Sequence, residues 1–303
     1  MREIKRILCP VDFSDASAHA IDQAIALAGW CKARITALHV FTPIFAPIPG
    51  LPTPEQRVSD AELARVRDQM AACFEAAAAA CVSVDILIDV GHPARHILDR
   101  ADALSADLIV MGTHGASGFE HLVLGSVTEK VLRKARCAVL TVPPRARATS
   151  TLPFRRLLCP VDFSDPSVAA LQMARSLASE SASALTVLYV IEWPWREPPP
   201  PFAAELPPAQ AHALAEYRRY VETSAMARLE GLIQEAVADR SAPVPRLSHG
   251  KSYVEILRLA AEERADLIVM GVHGRNGLDM TLFGSTTNQV VRQATCPVLT
   301  LRQ

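Results

Sequence analysis

Apolar residues fall along this chain in two rhythms. Short apolar-rich runs at Ile7–Val11, Ile35–Phe41, Val84–Val90, Leu108–Met111 and Ala138–Val142 have the length of strands. Leu108–Met111 is apolar throughout, as a strand covered on both faces requires. Between the runs the spacing turns helical. Ser14 or Asp15 offers an N-cap to a helix with Ile21, Ala24, Ile25 and Ala28 on one face. A long helix is expected from about Pro54 to Ala80, rich in Ala, Glu and Arg. Another starts near Pro93, where proline suits a helix beginning, and a last one runs from Ser126 to about Ala135. The same order returns through Leu157–Val161, Leu185–Ile191, Val244–Leu247, Leu267–Met270 and Val298–Leu301. Strands alternating with helices imply βαβ crossovers and a parallel sheet covered on both faces. The expected fold is α/β: two tandem, open, doubly wound, parallel five-stranded sheets.

The return of the pattern is also a return of sequence. Residues 6–28 (RILCPVDFSDASAHAIDQAIALA) match residues 156–178 (RLLCPVDFSDPSVAALQMARSLA) at 14 of 23 positions. ADLIVMGTHGASG at 106–118 matches ADLIVMGVHGRNG at 265–277 at ten of 13. The offset grows from 150 to 159, so the second copy has gained residues in its middle, where Trp193–Pro208 is Pro-rich. A period this long means duplicated domains and not a solenoid. The polar, Pro-flanked stretch PPRARATSTLP (143–153) separates them. It places the domains at residues 1–143 and 155–303, with residues 144–154 as linker.

Composition fits that reading. Across 303 residues, 50% hydrophobic and 21% charged residues give each copy enough to bury a core. A net charge of −1 and a pI near 6.8 lack the excess of Lys and Arg that marks a nucleic-acid surface. No apolar run approaches the roughly 18 residues that span a bilayer, and the N-terminus shows no signal-peptide core. The expectation is a soluble, cytoplasmic protein. None of the seven cysteines sits in a Cys-x-x-Cys pair. Cys9 and Cys159 fall inside strand runs and Cys137 and Cys296 just before others, which reads as small buried hydrophobes in a reducing compartment.

The candidate chemistry sits after the fourth strand, because open parallel sheets bind ligands beyond the carboxyl ends of their strands, where strand order reverses. The first copy has Gly112-Thr-His-Gly115, nine residues, then Gly125-Ser126; the second has Gly271-Val-His-Gly274, nine residues, then Gly284-Ser285. Glycine lets backbone approach a phosphate without an intervening Cβ. The second Gly-Ser opens a helix, whose first N–H groups and dipole favour an anion. Hydroxyls at Ser126 and Thr128, or at Ser285, Thr286 and Thr287, can donate to phosphate oxygens or accept from helix amides.

Together, PVDFS, DLIVMGTHG and G-x2-G-x9-G-S resemble the universal stress protein family over nearly the whole chain. In that family the last motif marks the ATP-binding members, on a Rossmann-like fold akin to the adenine nucleotide alpha hydrolases. The resemblance implies ATP as ligand, with Mg²⁺ as a companion and ADP or AMP as variants. It places Asp12 and Asp162 on the adenine and ribose side, although both residues read equally as helix caps. It frames the base with Val40 and Val190. Met111, Gly112, Gly115, Gly125, Ser126, Val127 and Thr128 would surround ribose and phosphates in the first copy, and Met270, Gly271, Gly274, Gly284, Ser285, Thr286 and Thr287 in the second. Family loops often carry arginine after the second glycine; Arg275 is there in the second copy and Ala116 in the first, so the second copy is expected to hold the triphosphate charge better, the first leaning on backbone donors and Lys130. His114 and His273 read as local packing or hydrogen-bonding groups. The family also pairs fifth strands across dimers, which implies an internal pseudo-dimer through Ala138–Val142 and Val298–Leu301, with a homodimer of whole chains left open.

Other motifs fail. Gly250-Lys251-Ser252 ends like a P-loop, but Pro245 stands where the first glycine is required. There is no G-x-G-x-x-G after a first strand and no G-x-S-x-G elbow. EPPPPFAAELPP (197–208) reads as an extended surface connection. Three function classes stay in play. The first is a regulatory or protective nucleotide-binding protein. The second is a slow ATPase or phosphotransferase, for which the acidic Mg²⁺ ligands would be Asp12, Asp162, Glu120 or Asp279. The third is a scaffold with vestigial sites, which predicts no ATP-dependent thermal shift.

Overall fold

The computed structural model describes residues 4–42, 58–114, 124–144, 154–192, 207–234, 243–272 and 284–302. The first half runs β1 (Arg6–Val11), α1 (Asp15–Cys31), β2 (Arg34–Phe41), α2 (Asp60–Cys73), α3 (Glu75–Ala79), β3 (Val84–Val90), α4 (Pro93–Ala103), β4 (Leu108–Gly112), α5 (Ser126–Lys134) and β5 (Ala138–Val142). The second half runs β6 (Arg156–Pro160), α6 (Asp165–Ser181), β7 (Ala184–Ile191), α7 (Pro208–Gln234), β8 (Val244–His249), α8 (Ser252–Glu262), β9 (Leu267–Gly271), α9 (Ser285–Gln293) and β10 (Val298–Leu301).

Local chemistry explains the boundaries. Ser14 caps α1 by accepting from the Ser17 N–H at 3.2 Å, and Lys32 ends that helix in the left-handed region at φ 55°. Ala182 closes α6 the same way, at φ 52°. The helix expected from Pro54 to Ala80 is corrected among the described residues. It starts at a capping box, in which Ser59 and Glu62 satisfy each other's backbone N–H groups. It breaks at Phe74, whose side chain is buried while its backbone leaves the helix at φ −108° and ψ 16°. Pro54 lies outside the described residues.

The strands form one ten-stranded sheet in the order β3-β2-β1-β4-β5-β10-β9-β6-β7-β8. Pairing is parallel within each half and antiparallel only where β5 meets β10. The two expected five-stranded sheets are therefore halves of one sheet, and the expected pseudo-dimer is its central junction. Leu140 faces Leu299 at the centre, flanked by Val139 opposite Thr300 and Thr141 opposite Val298. These residues correspond at the repeat offset, so the contact is self-complementary like a two-fold dimer interface. Both threonine hydroxyls are buried and reach across it. Thr141 donates to the Val298 carbonyl at 3.2 Å and Thr300 to the Val139 carbonyl at 3.1 Å.

The sheet has a core on each face, and each core runs through both halves. One joins Ala20 and Ala24 of α1 to Ala170 and Ala174 of α6; the other joins Val131 and Leu132 of α5 to Val290 and Val291 of α9. Small alanines let α1 and α6 lie close on the central strands. No helix among the described residues is long and apolar enough to cross a membrane.

Candidate functional site

The strand order reverses between β1 and β4, and the pairing there is short. β1 and β4 pair only through Ile7–Leu108 and Leu8–Ile109, whereas β1 and β2 pair along six residues. Beyond those two pairs the strands part towards their carboxyl ends and leave a crevice. β6 and β9 do the same, through Leu157–Leu267 and Leu158–Ile268 alone. In the first half the crevice holds a cavity of about 380 Å³. That volume lies in the range of small-ligand pockets, about 300–1,000 Å³.

Val40, Ile97 and Met111 give the cavity apolar wall, while Gly125 and Ser126 bring it to the start of α5. That helix begins at Gly125, and among the described residues no side chain caps its first turn. Its leading N–H groups therefore have no described side-chain partner and border a cavity, an arrangement that suits an anion. The α9 helix begins in the same way at Gly284, with φ −56° against −57° at Gly125. Hydrogen bonds fix both helix starts. Gly125 N–H donates to the Thr113 carbonyl at 2.9 Å, and Gly284 N–H to the Val272 carbonyl at 3.0 Å. The Thr128 hydroxyl donates to the Gly112 carbonyl at 2.9 Å, and the Thr287 hydroxyl to the Gly271 carbonyl at 3.0 Å. These threonines tie helix to strand, so their protons are not available to a phosphate.

The glycines divide into two kinds. A Cβ on Gly112 would lie 2.9 Å from the Ala16 backbone, and one on Gly271 2.9 Å from the Pro166 backbone. Both glycines are needed where α1 and α6 press on the strand ends, a packing requirement that holds with or without a ligand. A Cβ on Gly125 would meet the Thr113 carbonyl oxygen at 3.3 Å, which is tight but not a collision.

Asp12 directly follows β1 and lines the cavity. Its Oδ1 accepts from the Ser14 N–H at 3.1 Å and from the Ser14 hydroxyl at 2.6 Å. Asp162 Oδ1 does the same with Ser164, at 3.0 and 2.5 Å. Both aspartates thus brace the turn into the helix just past the strand end. The braced residue between them is aromatic and left-handed, Phe13 at φ 61° and Phe163 at φ 63°. Such a conformation costs about 1–2 kcal/mol, and its recurrence in both halves marks a turn held by its surroundings. Phe13 packs 4.9 Å from the His39 ring, which in turn meets Phe41 edge-on at 5.1 Å. His39 Nδ1–H donates to the Val11 carbonyl at 2.8 Å. In the second half Tyr189 replaces His39, and the Arg228 guanidinium lies 4.0 Å from the centre of the Phe163 ring.

A half-buried ion pair orients α4, which walls the crevice. Asp89 accepts from Arg100 at 2.7 and 2.6 Å and from His96 at 3.3 Å. Arg100, its main partner, holds the Asp89 carboxyl below the usual carboxylate range despite burial. The His96 ring fills the space beside Gly91, whose φ of 147° itself favours glycine. In the second half Ser248, Glu255 and Arg258 make the corresponding cluster beside Gly250.

Of the expected first-half residues, Asp12, Val40, Met111, Gly112, Gly125, Ser126, Val127 and Thr128 all line this one cavity. Gly115, Gly274, Arg275 and His273 lie outside the described residues. Asp162, Val190, Met270, Gly271, Gly284, Ser285, Thr286 and Thr287 take the matching places at the second strand ends and helix start. His114 lines the cavity with its Nδ1 2.8 Å from the Thr113 hydroxyl, the local contact expected of it. Sequence reasoning missed His39, Thr42, Pro93 and Ile97, which also line it. Their signal was positional: the end of β2 and the start of α4 border the same crevice.

The universal stress protein family model matches this chain twice, over residues 3–143 and 153–302. The chain belongs to the universal stress protein family. A universal stress protein of Mycolicibacterium smegmatis is 27% identical over 98% of this chain and 96% of its own length. One from Methanocaldococcus jannaschii is 37% identical, covering 46% of this chain and 81% of itself. The crystal structure of a universal stress protein from Archaeoglobus fulgidus shares the fold across 100% of this chain and 99% of its own, with a TM-score of 0.70 at 21% identity. The tandem arrangement thus recurs in universal stress protein structures.

Proposed function

We propose that this universal stress protein binds ATP in the crevices of both halves and serves the stress response as a regulatory or protective protein whose nucleotide occupancy reports cell state. One observation carries the reading: a ligand-sized cavity at the switch point runs from apolar wall at Val40, Ile97 and Met111 to the uncapped start of α5. An aromatic base suits the first end and phosphates the second. ADP and AMP fit the same arrangement. Mg²⁺ would arrive with the nucleotide, held chiefly by phosphate oxygens and water.

Binding is favoured over turnover by the described lining. It contains no Lys or Arg, and its one carboxylate, on Asp12, already accepts two hydrogen bonds from Ser14. Fast phosphoryl transfer needs positioned positive charge and a water-orienting group.

Isothermal titration of ATP tests the reading in the wild type and in Gly125→Val, Gly284→Val and the double variant. Each single variant should keep part of the binding and the double variant should lose it. Wild-type protein that is folded, free of carried-over nucleotide and silent to ATP would refute the proposal and favour a scaffold.

A further inference from the structure

The two halves agree at the helix starts of α5 and α9 and differ at the other end of the crevice. In the first half Thr42, just past β2, and Pro93, the first residue of α4, line the cavity. The N-cap of α4, His92, makes no side-chain capping bond, and no acidic residue sits in the first turn. Among the described residues, the positive end of α4 therefore borders the cavity without a carboxylate against it.

At the repeat offsets the second half has Glu192 for Thr42 and Ser252 for Pro93. The backbone frame is the same: Gly91 N–H donates to the Phe41 carbonyl at 2.8 Å, and Gly250 N–H to the Ile191 carbonyl at 3.2 Å. Within that frame, Glu192 Oε1 accepts from the Ser252 N–H at 2.9 Å. The two exchanges belong together. Serine supplies the N–H that proline lacks, and glutamate supplies a full negative charge to accept it. The carboxylate then sits on the positive end of α8 and offsets its dipole. An anion entering the first crevice meets the start of α5 and, at α4, a helix start with no described carboxylate against it. In the second crevice it meets the start of α9 and, beside α8, the exposed Glu192 carboxylate hydrogen-bonded to that helix start.

We propose that the two halves are unequal nucleotide sites, the first taking the adenine nucleotide in preference and the second held weak by the Glu192–Ser252 contact. This rests on the nucleotide reading above. Like charges disfavour each other across the crevice, and covering the carboxylate with a ligand removes water from it. Arg275 lies outside the described residues and is unchanged in the exchange of Glu192 and Ser252, which therefore isolates the effect of this wall.

The test is titration of magnesium–ATP with Gly125→Val carried throughout to remove the first site. Adding Glu192→Thr with Ser252→Pro should tighten binding about tenfold, roughly 1.4 kcal/mol. Glu192→Gln alone, which removes the charge and keeps the size, should give part of that gain. Conversely, Thr42→Glu with Pro93→Ser in a Gly284→Val chain should weaken the first site by a similar factor. Proline is accommodated at a first helical position, and unchanged circular dichroism and melting temperature establish the fold; Glu192→Gln carries the test if the pair fails to fold. Unchanged affinity in both Glu192 variants, or two equal sites in the wild type, overturns the asymmetry alone. Absence of ATP binding by the wild type and every variant overturns the nucleotide reading, and the asymmetry falls with it.

Discussion

Gly112 and Gly125 belong to one motif, yet the structure gives them different jobs, and alanine separates them. A Cβ on Gly112 would sit 2.9 Å from the carbonyl carbon, carbonyl oxygen and Cβ of Ala16. Ordinary contacts begin near 3.4 Å, so α1 would have to lift from the sheet by about half an ångström along its tightest line. Overpacking of this kind costs about 1–3 kcal/mol. The obstacle is helix backbone and so cannot rotate away. At Gly125 the nearest atom is the Thr113 carbonyl oxygen at 3.3 Å, and φ is −57°, a value any residue adopts. Alanine there needs a shift of a few tenths of an ångström, offset in part by about 0.4–1 kcal/mol from a stiffer unfolded chain. Gly112→Ala should therefore lower the urea midpoint clearly, while Gly125→Ala should leave stability within about 0.5 kcal/mol of wild type. Gly271→Ala, 2.9 Å from the Pro166 backbone, should behave like Gly112→Ala. Urea titrations followed by circular dichroism, paired with ATP titration, give both readouts. A Gly112→Ala protein of wild-type stability that had lost ATP would refute the packing argument and return that glycine to the phosphate.

Other expectations follow from single contacts. Asp89→Asn should destabilise the protein at pH 7 by about 1–3 kcal/mol, towards the lower end because Arg100 is 43% exposed. Since the folded Asp89 pKa is depressed, its contribution is full above the unfolded value near 4 and fades as pH falls through the folded one. The gap between wild type and variant should therefore close in acid, and a gap constant from pH 7 to pH 3 would rule out the ion pair as its source. Thr141→Val and Thr300→Val should each cost about 0.5–1.5 kcal/mol in thermal melts, because each strips a buried donor from the junction of the halves. Burial pushes the Cys9 and Cys296 thiols up to about 12 and raises Cys159 further. These three should react with a thiol reagent only on unfolding, while exposed Cys73 and Cys81 react in the native protein; mass spectrometry of labelled peptides distinguishes the two sets.

The strands were legible because a parallel strand covered on both faces is a nearly unbroken apolar run, and Leu108–Met111 and Leu267–Met270 are of that kind. The long helix was misjudged at Phe74, where an apolar residue in good register leaves the helix for tertiary reasons that periodicity does not carry. The Ser59-x-x-Glu62 capping box was a readable start signal that gave way to composition. At the site, the residues close in sequence to the glycine motif were found together because the motif spans one turn and one helix start. Thr42 and Pro93 were missed because only the fold brings the ends of β2 and β3 to one crevice. Gly112 lines the cavity as expected, and the close approach of Ala16 to it was not legible: no sequence pattern distinguishes a glycine that yields to a ligand from one that yields to a helix.

The antiparallel junction has a consequence for how two sites on one chain act. Strands within each half are parallel, so the half's site opens at one edge of the sheet; because β5 and β10 run in opposite directions, the second half's carboxyl ends point to the other edge. Both cores continue across the junction, so the halves are related by rotation about an axis through the sheet near Leu140 and Leu299, not by stacking. Two ligands bound to one chain would therefore lie on opposite edges, without contact between them, and any coupling would have to pass through the central strands. The buried threonine bonds and the leucine pair make that junction a packed element and not a hinge. In a dimer of identical chains the two sites must share every residue. Joining the halves in one chain lifts that constraint, and the exchange of Thr42 and Pro93 for Glu192 and Ser252 is the kind of divergence it permits.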